Sequence, residues 1–113
     1  MNSKINAYLF DILRTIEELE GFFKENEITL HILLSKTIIT RATERNLEII
    51  GECVKKILAI DPSFPISNAR QIIATRNFIA HEYGVISYEI IIEVLNTHLP
   101  ILKREVHELL KGK

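Results

Sequence analysis

Apolar residues recur at three- and four-residue steps along most of the chain. No alternating apolar–polar run persists, so the pattern predicts helices and no strand. The first helix runs from about Ser3 to Asn26, with Ile5, Leu9, Ile12, Ile16, Leu19 and Phe23 on one stripe and Asn2 or Ser3 as its cap. The second runs from about Thr29 to Ile60 and ends at Asp61-Pro62, because the residue before proline avoids helical geometry. A helix of that length spans about 47 Å at 1.5 Å per residue. That exceeds the width of a small globule, so part of it is expected to pack on something outside the monomer core. After a short loop containing Pro65, Ser67 can cap a third helix from about Asn68 to His81 or Tyr83, and Gly84 stops it in left-handed geometry. Ser87 can cap the last helix, about Tyr88 to Leu110, which Pro100 interrupts and is expected to kink. The links are short, so neighbours run antiparallel. The fold class that follows is all-α: an antiparallel up-and-down bundle of about four main helices, in one domain spanning residues 1–113.

Composition narrows the partners. Apolar content of 47% with 26% charged residues is that of a globular chain and excludes a disordered one. A net charge of -1 leaves no broad basic footprint for nucleic acid, so any such contact is local or supplied by a second subunit. Residues 1–27 carry three basic and six acidic groups, and residues 28–60 carry five basic and three acidic. Two antiparallel helices with complementary outer faces account for this, as does an acidic face meeting a basic partner. Cys53 is the only cysteine, which fits a reducing compartment. Early charges at Lys4, Asp11, Arg14 and Glu17 do not suit a signal peptide, and no apolar run reaches membrane-spanning length. A cytoplasmic location with no membrane contact is the expectation.

The candidate chemistry lies in Arg76-Asn77-Phe78-Ile79-Ala80-His81-Glu82-Tyr83. A guanidinium, an amide, an imidazole and a phenol within eight residues can hold a phosphate and move a proton near neutral pH. Asn77 and His81 are four apart, so the amide can hydrogen-bond the imidazole and fix its tautomer. Arg76 lies five positions before His81, about 140° around an ideal helix. Either the helix end is distorted or the site is completed across an interface. Metal-free cleavage of a phosphodiester through a neighbouring hydroxyl needs both a base and an acid, each worth roughly 10²–10⁴ in rate. This segment has one histidine, and a two-fold dimer would supply a second. The plainer reading keeps His81 as a favourable charge at a helix C-terminus.

Other positions have plainer readings too. Gly51 sits inside the second helix, either as tolerated weakness or as the place where another helix comes close; the flanking Ile49, Ile50 and Val54 favour the second. Glu48, Glu52, Arg45 and Lys56 read as surface ion pairs, with a site role as the sharper alternative. His31, His98 and His107 are scattered without zinc-ligand spacing, so no metal is expected. Tyr88 reads as core or surface, with a place beside Tyr83 as the alternative, and Cys53 as a small buried hydrophobe.

The segment resembles the signature of HEPN domains, in which Arg, four to six residues and then His mark metal-independent ribonucleases. The form with Tyr two after His is similar to the HepT toxin family. Arg41-Ala42-Thr43-Glu44-Arg45-Asn46-Leu47-Glu48-Ile49-Ile50-Gly51-Glu52 resembles that family's second-helix segment, and helix order and length match along nearly the whole chain. One departure is the absence of a tryptophan that relatives often carry at the start of the third helix. The resemblance implies a HEPN-like bundle working as a homodimer and cleaving RNA as the toxin of a toxin–antitoxin pair. It implies His81 as general acid/base, Arg76 as phosphate and transition-state stabiliser, and Asn77 as polar support. It further implies a MntA-like nucleotidyltransferase antitoxin as partner, transferring AMP onto Tyr83. ATP and magnesium would belong to that partner, leaving this chain without a cofactor of its own. The alternative is a non-catalytic helical module that presents substrate to a separate nucleotidyltransferase, and a third reading is a plain dimerisation bundle.

Overall fold

The computed structural model describes residues 2–23, 28–81 and 88–112, with His81 described in its backbone. Helix α1 is Ser3–Phe22, α2 Leu30–Ser35, α3 Thr37–Ile60, α4 Ala69–His81, α5 Tyr88–Glu93 and α6 Leu99–Lys111, with a π-helical turn at Val94–His98 joining the last two. Among the described residues no strand occurs, so the all-α bundle expected from the periodicity is the observed fold.

Helix α1 begins as expected. The Asn2 side-chain oxygen accepts from the backbone N–H of Lys4 at 2.7 Å and of Ile5 at 3.3 Å, satisfying two otherwise orphaned donors. Ile5, Leu9, Ile12, Ile16 and Leu19 face the core. The helix ends at Phe22, earlier than the expected Asn26, and Phe23 is buried just past it.

The expected single helix from Thr29 to Ile60 is two helices. Lys36 leaves helical geometry at φ -109° and ψ 73°. In an unbroken helix the Leu33 carbonyl would take the Thr37 N–H; here it takes the Thr40 hydroxyl at 2.6 Å, in a buried setting. The Ser35 hydroxyl bonds the His31 carbonyl at 2.7 Å, and Thr37-Ile38-Ile39-Thr40 is a β-branched run that lowers the preference for helix on the far side. Helix α2 has its own cap, the Thr29 hydroxyl accepting from Ile32 N–H at 3.2 Å. The 24 residues of α3 still make it the longest element.

Helix α3 is the axis of the molecule, packing most broadly against α4 and α1. Asn46 donates to Glu18 at 2.9 Å, and the Lys56 ammonium lies 5.7 Å from the centre of the Tyr8 ring. High numbers on α3 thus meet low numbers on α1, and the pair runs antiparallel. The acidic N-terminal segment also pairs with α6, where Lys103 reaches Glu20 at 2.9 Å. Leu9, Ile12, Ile50, Val54, Ile57, Ile91, Leu102 and Val106 are buried in one continuous cluster.

The third helix starts one residue later than expected. Asn68 takes a left-handed φ of 60° and its carbonyl accepts from Ile72 N–H, while the Ser67 N–H is held by the Glu105 carboxylate of α6 at 3.1 Å. Gly84 and Ser87 lie outside the described residues. Just before Pro100, where a kink was expected, the chain makes a π turn. The Leu99 N–H reaches back five residues to the Val94 carbonyl, and Pro100 falls in the first turn of α6, where its missing N–H costs least.

Candidate functional site

The candidate site is built where α4 crosses α3. Gly51 makes the crossing possible: a Cβ there would lie 2.9 Å from Arg76 Cγ and 3.1 Å from the Ile72 carbonyl oxygen, and closer still to Arg76 Cβ. The glycine inside a long helix is therefore a close-approach residue, the reading its apolar flanks favoured.

This contact sets the position of Arg76. Its Nη2 lies 3.0 Å from Glu52 Oε2, a charge contact without the alignment of a linear hydrogen bond. Its Nη1 donates to Asn77 Oδ1 at 3.0 Å, and its Nε is buried with no partner. The guanidinium is thus gripped by two neighbours, and its side chain keeps 21% of its accessible surface. It forms part of the wall of a groove of about 280 Å³ between α1, α3 and α4, together with Asp11, Arg45, Glu48, Glu52 and Lys56. Cations and carboxylates balance in this groove, so one protomer does not present a strongly positive cleft.

Helix α4 stays α-helical through His81, so the backbone does not bend to bring positions 76 and 81 onto one face. The His81 side chain and Tyr83 lie outside the described residues, and with them the expected contact of Asn77 with the imidazole. The Asn77 side-chain carbonyl accepts from Arg76. Glu52 is the residue that sequence reading passed over as a surface ion-pair former. No signal along the sequence separates it from Glu48, which lies one turn earlier on the same helix face.

The remaining candidates sit as bulk structure. Tyr88 opens α5 and packs partly buried against the core. Cys53 is buried, and desolvation, followed by the charge of Asp11, pushes its thiol from an ordinary 9.0 up to about 11, so it stays protonated and inert at neutral pH. His98 is buried in the π turn with Nε2 3.8 Å from Glu93 Oε1. Among the described residues no three His, Cys, Asp or Glu side chains gather as metal ligands, and no helix is long and apolar enough to cross a membrane.

Comparison with known proteins bears on the same segment. The family model described as "Ribonuclease HepT-like" matches residues 12–109, which include Gly51, Glu52, Arg76, Asn77, His81 and Tyr83. A protein of Methanocaldococcus jannaschii described as a "putative RNase" is 31% identical over 108 residues, covering 95% of this chain and 88% of its own. A "putative RNase" of Caldanaerobacter subterraneus subsp. tengcongensis is 32% identical over 108 residues, covering 92% of both chains. No solved structure matches the chain at significant similarity.

Proposed function

This chain belongs to the ribonuclease HepT-like family, and from that premise we propose that it is a metal-independent endoribonuclease acting as the toxin of a toxin–antitoxin pair. The observation that carries the reading is the family match across the segment that holds Arg76, Asn77 and His81. In the proposed reaction an imidazole takes the proton of the RNA 2′-hydroxyl as its oxygen attacks the adjacent phosphorus. The 5′-oxygen leaves with a proton from a second imidazole, giving a 2′,3′-cyclic phosphate and a 5′-hydroxyl. His81 of each protomer fills one of these roles. Arg76 offsets the charge that builds on the equatorial phosphoryl oxygens, where a planar fork of donors is better suited than a point charge. Asn77 holds that fork.

A homodimer is part of the proposal, because one chain has one such imidazole and its two key positions lie on different sides of a regular helix. Leu34 and Ile38 flank the α2–α3 break with 62% and 86% of their surface exposed, and α2 packs on α5, the helix that follows the motif segment. Two copies that met there would cover apolar surface and bring the two motif segments towards each other.

Control of the toxin is proposed to pass through Tyr83. A nucleotidyltransferase partner would bring ATP and magnesium; the phenol oxygen would attack the α-phosphate, pyrophosphate would leave, and the AMP would occupy the anion site beside Arg76 and His81. A non-catalytic module serving such a partner is the second reading, favoured by the balanced charge of the groove. Expression without the partner separates the two. Growth arrest, abolished by His81→Ala or Arg76→Ala, with RNA cleavage by the purified chain reduced by roughly 10²-fold or more in each variant, supports the enzyme. A chain that neither arrests growth nor cuts RNA supports the module.

A further inference from the structure

The geometry points to Glu52 as the positioning residue for Arg76, seated by Gly51, so that the working guanidinium is set by the α3–α4 crossing and not by its own helix alone. This rests on the reading of Arg76 as the phosphate-binding group.

An arginine at an exposed helical position samples several rotamers, and a mobile guanidinium meets a developing phosphoryl charge poorly. Three contacts remove that freedom here. Gly51 lets the Arg76 stem lie directly on α3, where any Cβ would displace it. Glu52 then takes one terminal nitrogen at 3.0 Å from the floor of the crossing, and Asn77 takes the other at 3.0 Å from the same helix. The hydrogen bond at one terminal nitrogen and the charge contact at the other together restrict where the guanidinium can lie. Neither uses Nε, which is buried without a partner. With its two terminal nitrogens each engaged once, the group keeps further N–H donors for a phosphate. Glu52 itself touches no reacting atom in this scheme. Its charge also lowers the net field at Arg76, and this is offset if the gain from fixed orientation exceeds it.

The test is steady-state RNA cleavage by the full-length dimer, with Glu52→Gln, Glu52→Asp and Arg76→Ala made singly and Glu52→Gln combined with Arg76→Ala. The expected result is a fall in kcat of roughly 10–100-fold for Glu52→Gln with KM changed less than about twofold, and partial recovery in Glu52→Asp. The double variant is expected to be no worse than Arg76→Ala alone, because the carboxylate acts only through the arginine. In the parent, the Arg76 Nε–H resonance is expected to be sharp in ¹⁵N spectra and broadened in Glu52→Gln, a readout independent of substrate. A Glu52→Gln enzyme that cuts as fast as the parent, or faster, beside an inactive Arg76→Ala would overturn the positioning role and leave the reading of Arg76 standing. An Arg76→Ala enzyme with full activity would remove that reading and this inference together.

Discussion

At Gly51 one hydrogen atom decides how close two helices come. Alanine there would gain about 1 kcal/mol of helix preference. It would also press a methyl group against the Arg76 stem and the Ile72 carbonyl, atoms bound closely to the α4 backbone and unable to rotate away. Overpacking of that kind costs about 1–3 kcal/mol, so the clash equals or exceeds that gain. Gly51→Ala is expected to lower stability by up to about 2 kcal/mol in urea unfolding, the difference between those two effects. It should also reduce RNA cleavage by more than the loss of folded protein explains. Residue by residue, the sequence was informative where chemistry is local. Arg76, Asn77 and His81 stand out because a cation, an amide and an imidazole share one short segment. Glu52 did not stand out, because it shares a helix face and a groove with Glu48, and spacing along one helix carries no information about which carboxylate meets Arg76.

Among the elements, apolar periodicity located every long helix but missed the break at Lys36. Apolar residues recur on both sides of the break, yet Leu34 and Ile38 there are exposed and the positions buried just past it, Thr40, Thr43 and Asn46, are polar, so the apolar pattern runs through the break without marking it. What interrupts the helix is a hydroxyl: Thr40 takes the Leu33 carbonyl and leaves Lys36 in an extended-like conformation. Thr40→Val keeps the shape and removes the donor, leaving that buried carbonyl unsatisfied at a cost of about 1–3 kcal/mol, which chemical denaturation can measure. Thr40→Ser, which retains the hydroxyl, is expected to lose less than half as much. An irregularity near Pro100 was legible, because a proline in a helical stripe must disturb it. Its form as a π turn was not, since the widened turn depends on which side chains the core can accept.

For the molecule as a whole, the bundle covers its own core and leaves a separate apolar area around the α2–α3 break. Ile38, with 86% of its surface exposed, is the test of what that area is for. Removing an isoleucine from an interface forfeits about 1.5–3 kcal/mol of burial, and a two-fold contact counts the residue twice. Ile38→Asp is therefore expected to weaken self-association by about 100-fold or more in sedimentation equilibrium while circular dichroism stays helical. A variant that remains as strongly associated as the parent would move the interface elsewhere. The long second helix inferred from the sequence led to the same expectation of an outside partner by a different route. Its length proved divided, yet apolar side chains at the division remain uncovered.

The extra residue in the turn at Val94–His98 also acts as a phase shifter. Before it, burial falls on Ile91; within it, on Val94, Leu95 and His98; and after it, on Leu99, Leu102 and Val106, so that His98 and Leu99 are buried side by side. An α-helix advances about 100° per residue, so losing a single position there would swing the C-terminal helix by roughly a quarter turn. Leu102 and Val106 would rotate towards water, and the lineage can shorten this segment only by rewriting the stripe that follows it.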